Sequence, residues 1–273
     1  MTPHTRKSQS MITEGTNKEG YALITGASAG LGAEFARQLA AMGHHLILVA
    51  RREDRLQALA AELTEQHGVT CQIIVADLND EDAGKHIADS CQSGGWTVNW
   101  LVNNAGVAGP DLLQDRDWAA QQTFFQLMML SVADLCHRFI PGMVDRGYGR
   151  VINVASVAAR VPRSGGCNYG PAKAYLVALS EELNLSVAAM GVHVSAICPG
   201  FTHTDFHETA GLMEMKNNMA KWLWYDADVV VRDAIQGVEA AKPVVVSGRL
   251  YRWLDPIFQS VWTRRLLRIK ARP

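Results

Sequence analysis

The chain has 273 residues, 48% hydrophobic and 19% charged, enough apolar material for one compact α/β domain to bury a substantial core. Its formal net charge of −1 supplies no whole-molecule field for nucleic acid, and no zinc-finger, homeodomain or RNA-binding signature is present, so no nucleic-acid partner is expected. Cys71, Cys91, Cys136, Cys167 and Cys198 are widely spaced without a C-x-x-C pair, which argues against a disulfide framework and a zinc site and fits a reducing cytoplasm.

Met1 to Gly20 are polar, carry both charge signs and lack the apolar stretch of a secretory signal; a mobile tail is expected there. From Tyr21 onward, short apolar runs alternate with longer amphipathic ones, the pattern of βαβ units around a parallel sheet covered on both faces. Strands are predicted at Tyr21–Thr25, His45–Ala50, Thr70–Ala76, Trp100–Asn103, Arg150–Val154, His193–Cys198 and Val244–Val246. Spaced apolar positions predict helices over Gly30–Met42, Glu53–His67, Glu81–Cys91, Asp115–Arg146, Asn168–Met190 and Asp226–Ala241. The expected fold class is α/β, a single doubly wound domain over residues 21–248, with a parallel sheet of about seven strands and helices on both faces. Arg, Asp, Glu or Gly interrupts every hydrophobic segment, so no run is expected to cross a bilayer.

Two segments break the alternation. Residues 201–225 are long for a connection and hold Met213, Met215, Met219, Trp222 and Trp224; a substrate lid and plain packing onto the core are both open readings. Residues 249–273 carry Arg249, Arg252, Arg264, Arg265, Arg268, Lys270 and Arg272 against Asp255 alone. There Asp255-Pro256 predicts a cap followed by proline at the first helical position, and Phe258, Trp262, Leu266 and Ile269 recur at helical spacing. A basic amphipathic helix follows. Packing on the domain is the commonest outcome for such a helix, with a subunit contact or an anionic membrane surface as the other destinations.

The chemistry sits in three places. The turn Thr25-Gly26-Ala27-Ser28-Ala29-Gly30-Leu31-Gly32 joins the first strand to the first helix, which lets backbone approach a pyrophosphate and aims free N–H groups and the helix dipole at it. At the end of the second strand a carboxylate would repel a 2′-phosphate, but this chain has Ala50-Arg51-Arg52. Arg51 as main contact and Arg52 as second suit that phosphate, so NADP(H) is the expected cofactor. Finally, Tyr169 and Lys173 stand one helical turn apart, with Ser156 upstream. A phenol protonates a reduced carbonyl oxygen only if its pKa, about 10 when unperturbed, is brought down, and a neighbouring ammonium does that.

Together with Asn103-Asn104-Ala105-Gly106 and Pro199-Gly200, these motifs resemble the short-chain dehydrogenase/reductase family from about Tyr21 to Gly248. The resemblance implies a Rossmann-like domain that binds a nicotinamide cofactor along the carboxyl ends of its strands. It places Gly26, Ser28, Ala29, Gly30, Leu31 and Gly32 at the pyrophosphate, Asp77 and Leu78 at the adenine, and Asn104, Ala105 and Gly106 along its ribose. Pro199, Gly200, Thr202 and Thr204 would position the nicotinamide carboxamide, and Tyr169 and Lys173 would reach the nicotinamide ribose. In the implied mechanism Ser156 hydrogen-bonds the carbonyl oxygen, Tyr169 passes it a proton as general acid/base, and hydride comes from the cofactor. The implied activity is NADP(H)-dependent interconversion of a ketone or aldehyde with an alcohol, on a small-molecule substrate that the Met/Trp-rich insertion suggests is apolar. The helices Asp115–Arg146 and Asn168–Met190 resemble those through which the family forms homodimers and homotetramers.

One departure matters. The family usually carries an asparagine on its long helix to support a water-linked proton relay to the lysine, and here that position holds Met128. A thioether is a poor hydrogen-bond partner, so the relay must use backbone carbonyl and water, borrow Gln126 or Ser131, or be weakened. Met128 and the basic C-terminal helix leave open an NADP(H)-binding sensor or scaffold with weak or no catalysis, and that helix alone leaves open a membrane-peripheral reductase of lipid carbonyls. Gly170-Pro171 is less usual for the family, but proline in a first turn loses no internal bond. His203, Asp205, His207 and Glu208 lack metal-site order and no metal is expected; nothing near Cys167 makes it a nucleophile.

Overall fold

The computed structural model describes residues 20–161, 168–202, 224–260 and 262–263. Seven strands are β1 (Tyr21–Thr25), β2 (His45–Ala50), β3 (Cys71–Val75), β4 (Val98–Asn103), β5 (Gly149–Val154), β6 (Val192–Cys198) and β9 (Val244–Val246). They pair in parallel in the order β3-β2-β1-β4-β5-β6-β9. Every residue of β4 and β5 is buried, because helices cover both faces of the sheet. The Rossmann-like doubly wound architecture is therefore present.

The helices are α1 (Gly30–Ala41), α2 (Glu53–His67), α3 (Ala83–Ser93), α4 (Trp118–Phe125), α5 (Ser131–Arg146), α6 (Tyr169–Val187), α7 (Ala227–Glu239) and α8 (Arg249–Gln259). Ile87, Leu101, Leu135, Met143, Val151 and Leu176 fill the layer beneath α3, α5 and α6. Phe35, Leu46, Leu56, Trp100, Ile152 and Val231 fill the layer beneath α1, α2 and α7. Strand order reverses between β1 and β4, which opens a crevice at the carboxyl ends of the strands.

Three features differ from the sequence expectation. The expected continuous helix Asp115–Arg146 begins only at Trp118 and contains a π-helical turn, Gln126–Leu130, that joins α4 to α5 over the 29 residues Trp118–Arg146. That stretch has the length and hydropathy to span a bilayer, because helical continuity carries across its scattered polar residues. Phe124, Met128, Leu135 and Met143 are nevertheless buried in the core. Second, β7 (Phe201–Thr202) pairs in parallel with β8 (Trp224–Tyr225), so the ends of the 201–225 insertion meet; its interior lies outside the described residues, as do residues 1–19 of the expected tail.

Third, α8 starts at Arg249 rather than after Asp255. Gly248, at φ +90°, turns the chain into the helix, and Asp255 lies within it, bound to Arg160 instead of capping. Pro256 is thus internal; it lacks the N–H that would bond the Arg252 carbonyl, and the helix stops at Gln259. Trp262 is 87% exposed rather than packed, and Leu266 and Ile269 lie outside the described residues.

Candidate active site

The crevice is a cleft of about 1010 Å³. At one end the glycine-rich turn forms its floor: Gly26 and Gly30 adopt φ +64° and +55°, which favour glycine, and a Cβ on Gly32 would collide with the Gly26 carbonyl. The Thr25 hydroxyl accepts from the N–H groups of Asn104 (3.0 Å) and Ala105 (3.1 Å) and donates to the Val102 carbonyl (3.3 Å), binding the end of β4 to the end of β1. Asn104 Nδ2 donates to the Thr25 carbonyl at 3.0 Å. No side chain caps α1, so its first-turn N–H groups are available to an anion.

Gly26, Ser28, Ala29, Gly30 and Leu31 border the cleft, while Gly32 packs behind them. Arg51 and Arg52 stand at its rim with different partners. Arg52 donates to Ser28 Oγ at 2.9 and 3.3 Å, and Arg51 pairs with Asp77 at 3.5 Å, both in solvent-exposed positions. Leu78, Asn104, Ala105 and Gly106 continue the wall. Pro199, Gly200 and Thr202 face it from the end of β6, where Thr202 Oγ1 donates to the Gly200 carbonyl at 3.2 Å. Thr204 and Cys167 lie outside the described residues, as do His203, Asp205, His207 and Glu208.

Ser156, Tyr169 and Lys173 border the same cleft. Ser156 follows β5, and its Oγ accepts from the Ala158 N–H at 3.1 Å, capping a 3-10 turn over Val157–Ala159. Tyr169 is the first residue of α6. A Cβ on Gly170 would lie 3.1 Å from the Ala158 carbonyl oxygen, so the unusual glycine lets the tyrosine helix approach the serine loop. The buried side chains of Asn168 and Gln121 hydrogen-bond each other, and Gln121 Nε2 donates to the carbonyls of Asp111 (3.2 Å) and Asp115 (3.3 Å). The start of α6 is thereby joined to the loop that follows β4.

Lys173 Nζ lies 5.8 Å from the centroid of the Tyr169 ring and donates to the Val154 carbonyl at 2.6 Å. Burial pushes its pKa down to about 8, which still leaves it mostly cationic at neutral pH. Met128 is buried in the π-helical turn, and its sulfur accepts from the Val107 N–H at 3.3 Å. Of the neighbours considered for a relay, Ser131 is committed to the Leu127 carbonyl at 2.7 Å.

The cleft is bordered as well by the apolar side chains of Ala108, Pro110, Phe124, Leu127 and Val161, together with Thr123 and Tyr251. Tyr251 comes from α8, in the expected C-terminal extension. No local signal marks it, nor the Arg160–Asp255 pair that holds the helix in place, because those partners are 95 positions apart.

A model of the short chain dehydrogenase family matches residues 20–214. Sulfoacetaldehyde reductase 2 of Chromohalobacter salexigens is 36% identical over 186 residues, covering 67% of this chain and 73% of the relative. Among solved structures, a short-chain dehydrogenase from Sphingobium yanoikuyae in complex with NADPH has 30% identity and TM-score 0.76, covering 86% of this chain and 91% of that one. The bulky-bulky ketone specific alcohol dehydrogenase from Comamonas testosteroni has 27% identity and TM-score 0.74, covering 90% and 94%.

Proposed function

The chain belongs to the short-chain dehydrogenase/reductase family, and from that premise we propose that it is an NADP(H)-dependent oxidoreductase interconverting an uncharged, apolar ketone or aldehyde with its alcohol. The observation that carries this reading is the buried Lys173 amine 5.8 Å from the Tyr169 ring, in the same cleft as Ser156. The cofactor's chemistry fits the residues present: a glycine floor, an uncapped helix N-terminus for a pyrophosphate, and two guanidinium groups for a 2′-phosphate. NADPH in the Sphingobium relative supports the same choice.

When bound, the nicotinamide supplies the hydride for carbonyl reduction, or accepts it in the reverse direction. The Ala158 N–H occupies one lone pair of Ser156 Oγ, which leaves the hydroxyl hydrogen free to bond the substrate oxygen. Tyr169 donates its proton to that oxygen as charge builds there, and the Lys173 cation stabilises the phenolate left behind. One Lys173 N–H is spent on Val154, and the other two are available to the phenol and to a ribose hydroxyl.

The apolar lining supports an uncharged substrate. A sulfonate such as the one in the name of the Chromohalobacter relative would need a cation at that end, and among the described lining residues Lys173, Arg51 and Arg52 have other roles. The bulky ketones in the name of the Comamonas relative are the closer chemical match. The test is NADPH consumption with a panel of ketones. Tyr169→Phe is expected to lower turnover by about 10²-fold or more while NADPH binding persists. Loss of NADPH binding in that variant would remove the assigned role, and no turnover by the wild type would favour a cofactor-binding sensor.

A second reading, attachment to an anionic membrane surface, is favoured by Trp253, 72% exposed on the same helix as the exposed Arg249, and by Trp262, 87% exposed. Exposed Leu130 and Leu185, on the long helices, support a homo-oligomer formed through them; sedimentation as a monomer would discard that assembly.

A further inference from the structure

α8 crosses from the end of β9 to the loop that carries Ser156, and named contacts fix it at both ends. At its start, Arg252 donates to Asp233 Oδ2 at 3.2 Å and to the Val246 carbonyl at 3.3 Å. At its far end, the Arg160 guanidinium grips Asp255 through two parallel bonds, Nε to Oδ1 at 2.7 Å and Nη2 to Oδ2 at 2.5 Å. Gln259 Nε2 adds a bond to the Arg160 carbonyl at 3.0 Å. Both members of the ion pair are largely buried, with side-chain exposures of 16% and 19%. This geometry is the strong, planar form of an ion pair.

Between these anchors, Tyr251 is 9% exposed and borders the cleft. Its ring lies against Gly200, where a Cβ would collide with it, and its hydroxyl is hydrogen-bonded to the backbone of Phe201. Gly200 and Phe201 follow Pro199, whose carbonyl accepts from the Val157 N–H at 2.9 Å, next to Ser156. A chain of contacts therefore runs from Asp255 through Arg160 to the serine loop, and from Tyr251 through Gly200 to the same loop.

Resting on the oxidoreductase reading above, we propose that α8 is the outer wall of the substrate end, with Tyr251 as a specificity-determining residue and Asp255 as a positioning residue. Asp255 acts through Arg160, which leads directly out of the turn capped by Ser156. Removing the carboxylate takes away both bonds of the guanidinium in a largely buried place and leaves only the weaker pull of Glu181, so the loop and α8 part. Tyr251 limits the length of carbonyl substrate that fits beside Tyr169. Its removal opens the cleft beside Gly200.

The test uses the full chain with NADPH. In Asp255→Asn, hydrogen–deuterium exchange of residues 156–161 and 199–202 is expected to quicken about tenfold while β1 and α1 stay protected, and Asp255→Glu is expected to restore protection. kcat/KM for a ketone falls about tenfold in the same variant, while the NADPH Kd rises by less than that, because only the nicotinamide end of the cleft at residues 199–202 is loosened. Tyr251→Ala raises kcat/KM for a bulky ketone relative to a small one by about tenfold, about what one or two methylenes are worth in such a pocket. Unchanged exchange in Asp255→Asn overturns the positioning role, and an unchanged bulky-to-small ratio in Tyr251→Ala overturns the wall. Should Asp255→Asn fail to fold, Gln259→Ala cuts only the bond to the Arg160 carbonyl and must loosen residues 156–161 in the same direction; no change there also overturns the proposal. If the wild type reduces no ketone, the oxidoreductase reading fails. Exchange then decides Asp255, and Tyr251 is decided by whether Tyr251→Ala loosens residues 199–202.

Discussion

The sulfur of Met128 accepts the backbone N–H of Val107 at 3.3 Å. It thereby holds the start of the loop that carries Ala108 and Pro110 along the substrate end. Met128→Leu keeps the volume but removes the acceptor, and is expected to cost about 1 kcal/mol of stability. The ketone KM should rise a few-fold with kcat little changed. Urea denaturation and steady-state kinetics check this, and a KM identical to wild type would mean that the sulfur only fills space.

Arg51 and Arg52 are both exposed at the cofactor rim and held differently, one by Asp77 and the other by Ser28. Replacing either with Ala is expected to weaken NADPH binding by about 10-fold or more, as for loss of a charge-assisted hydrogen bond. NADH binding should change little. Fluorescence titration of both cofactors measures the ratio; equal weakening of NADH and NADPH would move these residues away from the 2′-phosphate.

Lys173 links stability to pH in the cofactor-free protein. Burial pushes its pKa down to about 8, whereas an unfolded lysine titrates at about 10.4. Between those values the unfolded chain binds more protons, so this residue's contribution to stability rises with pH; below about pH 8 both states are protonated and the full cost of the buried charge remains. The stability of wild type minus that of Lys173→Met should therefore increase by up to about 3 kcal/mol from pH 8 to pH 10.4. A flat difference across that window would show that the amine is not desolvated as the structure has it.

Membrane attachment through α8 gives a separate expectation. Sedimentation with vesicles containing phosphatidylserine should be reduced several-fold in a Trp253→Ser/Arg249→Glu variant, which spares the Arg252–Asp233 anchor, and should fall as salt is added. Equal partitioning of variant and wild type would leave these tryptophans to another surface.

The sheet was readable because buried parallel strands are short, apolar and separated by amphipathic helices, and each predicted strand lies within two residues of its observed limits. Thr70–Ala76 shortened to Cys71–Val75, and Trp100–Asn103 lengthened to begin at Val98, the kind of end adjustment that pairing with neighbours decides. The glycine turn and the Tyr169–Lys173 spacing were also readable, since each depends on residues close in sequence. What escaped depended on distant partners. Asp255-Pro256 has the local form of a helix start, but Arg160, far away in the chain, claims the carboxylate. The π-helical turn that buries Met128 likewise has no composition of its own; its partners, α6 and Val107, are distant in the chain.

The short bond from Lys173 to the Val154 carbonyl has a thermodynamic consequence. A free lysine gives up about 2 kcal/mol of rotamer entropy when a ligand fixes it, but this one has already been immobilised by folding. A coenzyme that meets the amine finds it prearranged, so less of the intrinsic affinity is lost to ordering the receptor.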